Sequence, residues 1–103
     1  MHPYRVRFQD TDWEQPMEGV RQKVIISGNE KLRLVEYSPA LPPHWCETGH
    51  CGCVLEGRLE IEFPGGTQVF EAGDGISIPT GHEHRHQARV LSPVVRAFLV
   101  EKA

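Results

Sequence analysis

The sequence predicts an all-β fold, a small barrel or sandwich, and three observations lead there. Apolar residues recur with strand rather than helix spacing, in short runs rich in Val, Ile, Leu, Tyr and Phe. Ten glycines and eight prolines punctuate those runs at close intervals. The 103 residues suit one domain spanning 1–103, with too little chain for a second core.

Taken in order, Tyr4–Phe8 reads as a first strand and residues 9–19, with their acids and Pro16, as a loop. Val20–Ser27 is the second strand, Gly28-Asn29 a turn, and Leu32–Tyr37 the third strand. Pro39, Pro42 and Pro43 then impose an extended, irregular path. Cys53–Glu56 and Arg58–Phe63 read as strands on either side of Gly57. Pro64-Gly65-Gly66 makes a hairpin turn into Thr67–Glu71. Ile76–Ile78 lies between two further turns, and Val94–Val100 ends the series as an apolar strand. Strands this short, with turns this frequent, indicate closure into a sandwich or barrel.

Composition narrows the function. A formal charge of −3 and scattered lysines and arginines argue against a nucleic-acid partner. No apolar stretch approaches the roughly 18 residues of a membrane span, so no membrane partner is expected. The first seven residues lack the apolar centre of a secretory signal, and the expected location is cytoplasmic. Thiols stay reduced there, so Cys46, Cys51 and Cys53 are not read as a disulfide framework.

Five of the six histidines fall in two patches, Pro43-His44-Trp45-Cys46-Glu47-Thr48-Gly49-His50 and His82-Glu83-His84-Arg85-His86. Imidazole and thiolate are ligands for borderline-soft divalent metals. In an extended segment His44 and Cys46 share a face while Trp45 points away.

The two patches resemble the paired signature motifs of the cupin superfamily. His44-x-Cys46-x3-His50-x6-Gly57 keeps the first motif's spacing, with cysteine in place of the second histidine and histidine in place of the glutamate. Gly73-x5-Pro79-x-Gly81-x2-His84 matches the second, with Ala88 where an asparagine would stand. The motifs cover about 44–57 and 73–88. The resemblance implies a small RmlC-like jelly-roll β-barrel. It also implies a divalent metal held by His44, Cys46 and His50 from the first motif and His84 from the second. Three imidazoles and a thiolate suit zinc first, with iron or nickel possible. A homodimer is implied as well.

His82 and His86 share a face with His84 if their segment is extended, and either could replace or orient it. Glu47 and Glu83 read as solvated carboxylates rather than acid–base groups. Arg21 and Lys23 share a strand face, which offers positive charge to an anionic ligand as a minority reading. Cys51 and Cys53 read as small packing residues, and Trp13 and Trp45 as core or interface aromatics.

Cupins host many reactions, so function must come from the site. The first expectation is a metal-dependent enzyme acting on a small polar molecule by isomerase, lyase or oxygenase chemistry, with oxygenation disfavoured by the oxidisable thiolate. The alternatives are a non-enzymatic metal or small-ligand sensing module and a barrel with a structural metal.

Overall fold

A computed structural model describes residues 4–103. Among them nine strands run in chain order: β1 Glu14–Met17, β2 Val20–Ser27, β3 Glu30–Tyr37, β4 His50–Glu56, β5 Arg58–Phe63, β6 Gly66–Glu71, β7 Gly75–Ile78, β8 Gln87–Val90 and β9 Val95–Lys102. They form a six-stranded sheet in the order β1-β2-β3-β9-β4-β7 and a three-stranded sheet in the order β6-β5-β8. Every pairing is antiparallel, and the chain crosses between the layers in the manner of a jelly roll.

Register explains which side chains meet. Val20↔Tyr37, Val35↔Ala97 and Val54↔Ala97 are direct cross-strand neighbours, and Ile76 and Ile78 continue the same face on β7. From the smaller sheet Leu59 and Ile61 pack across the gap, and these residues with Val95 and Leu99 form the core. The glycine that ends the first motif, Gly57, has φ +87°, and a Cβ there would strike the Val94 carbonyl. Only glycine accepts both conditions, so the sharp turn from β4 into β5 depends on it.

Several boundaries differ from expectation. Residues 4–7 join no strand, and Phe8–Asp10 forms a 3-10 turn. Phe8 instead packs edge-on against Phe98 at 6.1 Å, and Lys23 Nζ donates to the Phe8 carbonyl at 2.8 Å. Within the expected loop, Glu14–Met17 forms the outermost strand, where Pro16 is tolerated because one backbone edge has no partner. Gln87–Val90 is a strand that pairs with β5 and was not expected. The final strand runs two residues further than Val100. That extension brings Glu101 into register with Lys31.

Candidate functional site

One end of the space between the sheets is an open cavity of ≈ 320 Å³. Its floor is apolar, with Val20, Leu59, Ile61, Ile76, Ala97 and Leu99 contributing. His44, Cys46, His50 and His86 line its wall. The whole first-motif set therefore reaches one cavity. From the second motif His86 reaches it and His84 does not.

The reason is local. His82–His84 winds into a 3-10 turn after Gly81 (φ +143°), so the segment is not extended and its histidines do not share a face. His84 faces a separate depression beside Phe63, Ser77 and Ile78. His82 stays exposed, with Nδ1 at 2.9 Å from Glu47 Oε2, and Arg85 leans over the Trp45 ring at 5.8 Å. The chain then straightens, and His86 and Cys46 exchange backbone hydrogen bonds of 2.8 and 2.9 Å. This isolated antiparallel bridge sets the two side chains opposite each other, and His86 becomes buried. Of the second-motif histidines it is thus His86, one of the two that could replace or support His84 as ligand, that lines the cavity with His44, Cys46 and His50.

His50 opens β4 directly after Gly49, which is buried against the Ile78–Thr80 backbone where any side chain would collide. The Gly49 N–H donates to Thr80 Oγ1 at 2.8 Å. His50 and His86 meet edge to face, ring centres 5.2 Å apart and planes at 77°.

Both rings are fixed through Nδ1. His50 Nδ1 lies 3.1 Å from Glu101 Oε2, and His86 Nδ1 lies 3.0 Å from the His84 carbonyl. A carboxylate and a carbonyl can only accept, so each Nδ1 carries a proton, and in the neutral ring it is Nε2 that holds the lone pair. Metal-binding imidazoles are commonly oriented in this way. The donor types therefore suit a divalent transition metal. Among the described residues, however, no three His, Cys, Asp or Glu side chains stand close enough to form a metal-holding group.

Glu101 is the functional residue that sequence reading missed. Burial alone would raise its pKa, but the His50 ring N–H and the Arg33 guanidinium outweigh that and hold it below the usual range. Arg33 NH1 donates to Glu101 at 2.7 Å, Arg33 Nε to Gln22 Oε1 at 2.8 Å, and Gln22 Nε2 to Glu14 Oε1 at 2.7 Å. A polar chain thus crosses five adjacent strands and ends on His50. Its signal in the sequence was the alternation Val95, Ala97, Leu99, Glu101. Burial also raises the pKa of Tyr37, so its hydroxyl stays protonated in the cavity wall. Burial lowers that of His86; the His84 carbonyl opposes the shift, and His50 and His44 add to it. His86 is accordingly neutral near pH 7.

The remaining candidates lie elsewhere. Arg21 and Lys23 face outward and stack on Trp13, at 4.1 and 4.9 Å from its ring centre. Trp13 is thus a platform for surface cations rather than a core residue. Trp45 is exposed, as are Glu47, Glu83 and Cys51, whereas Cys53 is half-buried. All three cysteines are free.

Comparison with known proteins agrees with this architecture. No curated protein sequence matches the chain. Among solved structures, the polyketide cyclase RemF from Streptomyces resistomycificus is 28% identical with a TM-score of 0.74, covering 97% of this chain and 79% of that one. KdgF from a Halomonas species is 23% identical, TM-score 0.73, with 92% and 91% covered. An RmlC-like cupin from Shewanella frigidimarina is 16% identical, TM-score 0.74, with 97% and 90% covered. A family model described as a cupin domain matches residues 23–100, well over half the chain, and the chain belongs to the cupin family.

Proposed function

We propose that this cupin binds a divalent transition metal at the histidine wall of its cavity and acts there on a small molecule with an apolar body. The observation that carries the reading is the fixed pair His50 and His86, whose Nδ1 atoms are engaged and whose Nε2 atoms are free to coordinate. His44 and Cys46 line the same wall, and their side chains would have to draw in toward the pair to give a set of three imidazoles and one thiolate. Zinc suits that set best, with iron or nickel next. When bound, the metal would supply Lewis-acid polarisation of a substrate oxygen, which on zinc requires a fifth coordination position or the departure of one of these four ligands. The chain's own contribution is the apolar floor that holds the ligand body and excludes water, and the neutral His86 and protonated Tyr37 beside it. Non-oxidative chemistry, isomerisation or cyclisation, is favoured over oxygenation. A thiolate beside activated oxygen is itself oxidised, and RemF, to which the chain is 28% identical, is a polyketide cyclase. A cytoplasmic location, where Cys46 stays reduced, fits this reading.

A non-enzymatic binding or sensing module is the second reading. It is favoured by Glu101, the one carboxylate of the cavity wall, being occupied by Arg33 and His50 rather than free for proton transfer.

Metal content of untagged protein tests the first reading. Wild type and His84→Ala are expected to hold about one metal per chain, and His86→Ala and Cys46→Ser to lose most of it. No metal in wild type after reconstitution with zinc and iron would sink the reading. Loss in His84→Ala with retention in His86→Ala would reverse the ligand assignment.

A further inference from the structure

The cavity wall carries three formal charges, on Lys31, Arg33 and Glu101. Arg33 and Glu101 neutralise each other at 2.7 Å, and Arg33 is further occupied by Gln22. Lys31 sits directly across from Glu101 in the β3–β9 register, yet Glu101 is already engaged by Arg33 and His50. Among the described residues Lys31 has no hydrogen-bond or ion-pair partner within reach, although it lines the cavity and is only half-exposed. The sequence spends a strand position on this side chain where Val35 and Tyr37, on the same face, are apolar or aromatic. A lone ammonium at the mouth of a low-dielectric cleft focuses a positive field into it.

We propose that the ligand of this cavity is a monoanion, a carboxylate on an apolar body, with Lys31 pairing the carboxylate and the Leu59, Ile61 and Leu99 surface taking the body. The proposal deepens the reading of the cavity as a ligand site and rests on it. The metal-free wall carries one net cation, from Lys31, Arg33 and Glu101, which matches one negative charge, whereas a phosphate dianion would bring a second charge against an apolar wall at high desolvation cost. A volume of ≈ 320 Å³ holds a ligand of about ten heavy atoms at the small end of known pockets.

Benzoate and benzamide, equal in shape and different in charge, are the probes. Each is titrated into wild type, Lys31→Met and Lys31→Arg, with and without zinc, and the cavity backbone amides of Arg33, Ala97 and Leu99 are followed by NMR. The expected result is benzoate binding at least about fivefold more tightly than benzamide in wild type. In Lys31→Met benzoate falls to the level of benzamide, and Lys31→Arg restores most of the difference. Unaltered melting temperatures in the variants would assign the change to the charge. Benzamide binding as well as benzoate, or Lys31→Met binding benzoate like wild type, would overturn the anion assignment and leave the cavity as a ligand site. Inorganic phosphate displacing benzoate at lower concentration than benzoate itself binds would overturn the monoanion. If neither probe shifts these amides, the proposal and the ligand-site reading fall together, while metal content is judged by its own assay.

Discussion

His50 is held by a carboxylate 51 positions away in the chain, and that contact decides what its imidazole can do. With Nδ1–H given to Glu101, the lone pair at Nε2 is free for a ligand or a proton. Replacing Glu101 by Gln should therefore act in two ways. The amide is a weaker acceptor for His50, so zinc affinity measured by chelator competition should drop about 10- to 100-fold. Arg33, whose side chain is 13% exposed, loses its carboxylate, so stability should fall by about 2 kcal/mol in chemical denaturation. Unchanged zinc affinity with lowered stability would make Glu101 a partner of Arg33 alone. The first-motif trio lines one cavity because all three lie in or beside extended backbone, where position translates directly into facing. His84 lines a different depression because a 3-10 turn between Gly81 and Arg85 resets facing, and hydropathy does not register that turn.

At the scale of single strands, β3 is the informative element. Its inward face begins with Lys31 and Arg33 and only then becomes Val35 and Tyr37, while Leu32 and Leu34 point outward. Alternation alone would assign the charged pair to solvent, and the cavity is the reason it is wrong there. Arg21 and Lys23 on β2, for which a ligand role is the minority reading, belong to the outer surface. On that surface Arg21, Glu36 and Arg96 are successive cross-strand neighbours, and both arginines pair with Glu36. Burial works to raise the Glu36 pKa, but the two guanidiniums outweigh it and keep it below its ordinary value. A carboxyl with a depressed folded-state pKa stabilises the fold above its unfolded pKa, and that contribution disappears as pH falls through the folded value. Glu36→Gln should thus cost roughly 1 kcal/mol near pH 7, limited by the exposure of the arginines, with the difference shrinking below about pH 4. Urea denaturation of both proteins across pH 3–7 reads this directly, and a pH-independent difference would mean the loss is one of packing.

For the whole molecule, a metal bound as proposed would join β4 to the segment that leads into β8, two parts brought together by little backbone pairing besides the Cys46–His86 bridge. Ligand that binds only the folded state adds stability by mass action, about 4 kcal/mol at a thousandfold excess over Kd. Removing metal with a chelator should therefore lower Tm by several degrees or more, and re-adding zinc should restore it. A Tm indifferent to chelator would count against a metal held by these elements. The six-stranded sheet ends in β1 and β7, whose outer edges have no strand partner among the described residues. A homodimer remains our expectation, and light scattering should return about twice the 11.7 kDa chain mass.

The sequence by itself determined the all-β class, most strand positions, the cupin motifs and the spacing that puts His44, Cys46 and His50 along one cavity wall. These features depend on period-two patterning, on Gly and Pro at turns, and on spacing within one extended stretch, all of which are local. Tertiary structure alone decided that His86 rather than His84 joins them, that Glu101 orients His50, and that Lys31 and Arg33 face the cavity. Each of these depends on the register between strands distant in the chain and on one short 3-10 turn. Such choices are made by packing two sheets against each other, where the energy of the whole assembly outweighs any local preference.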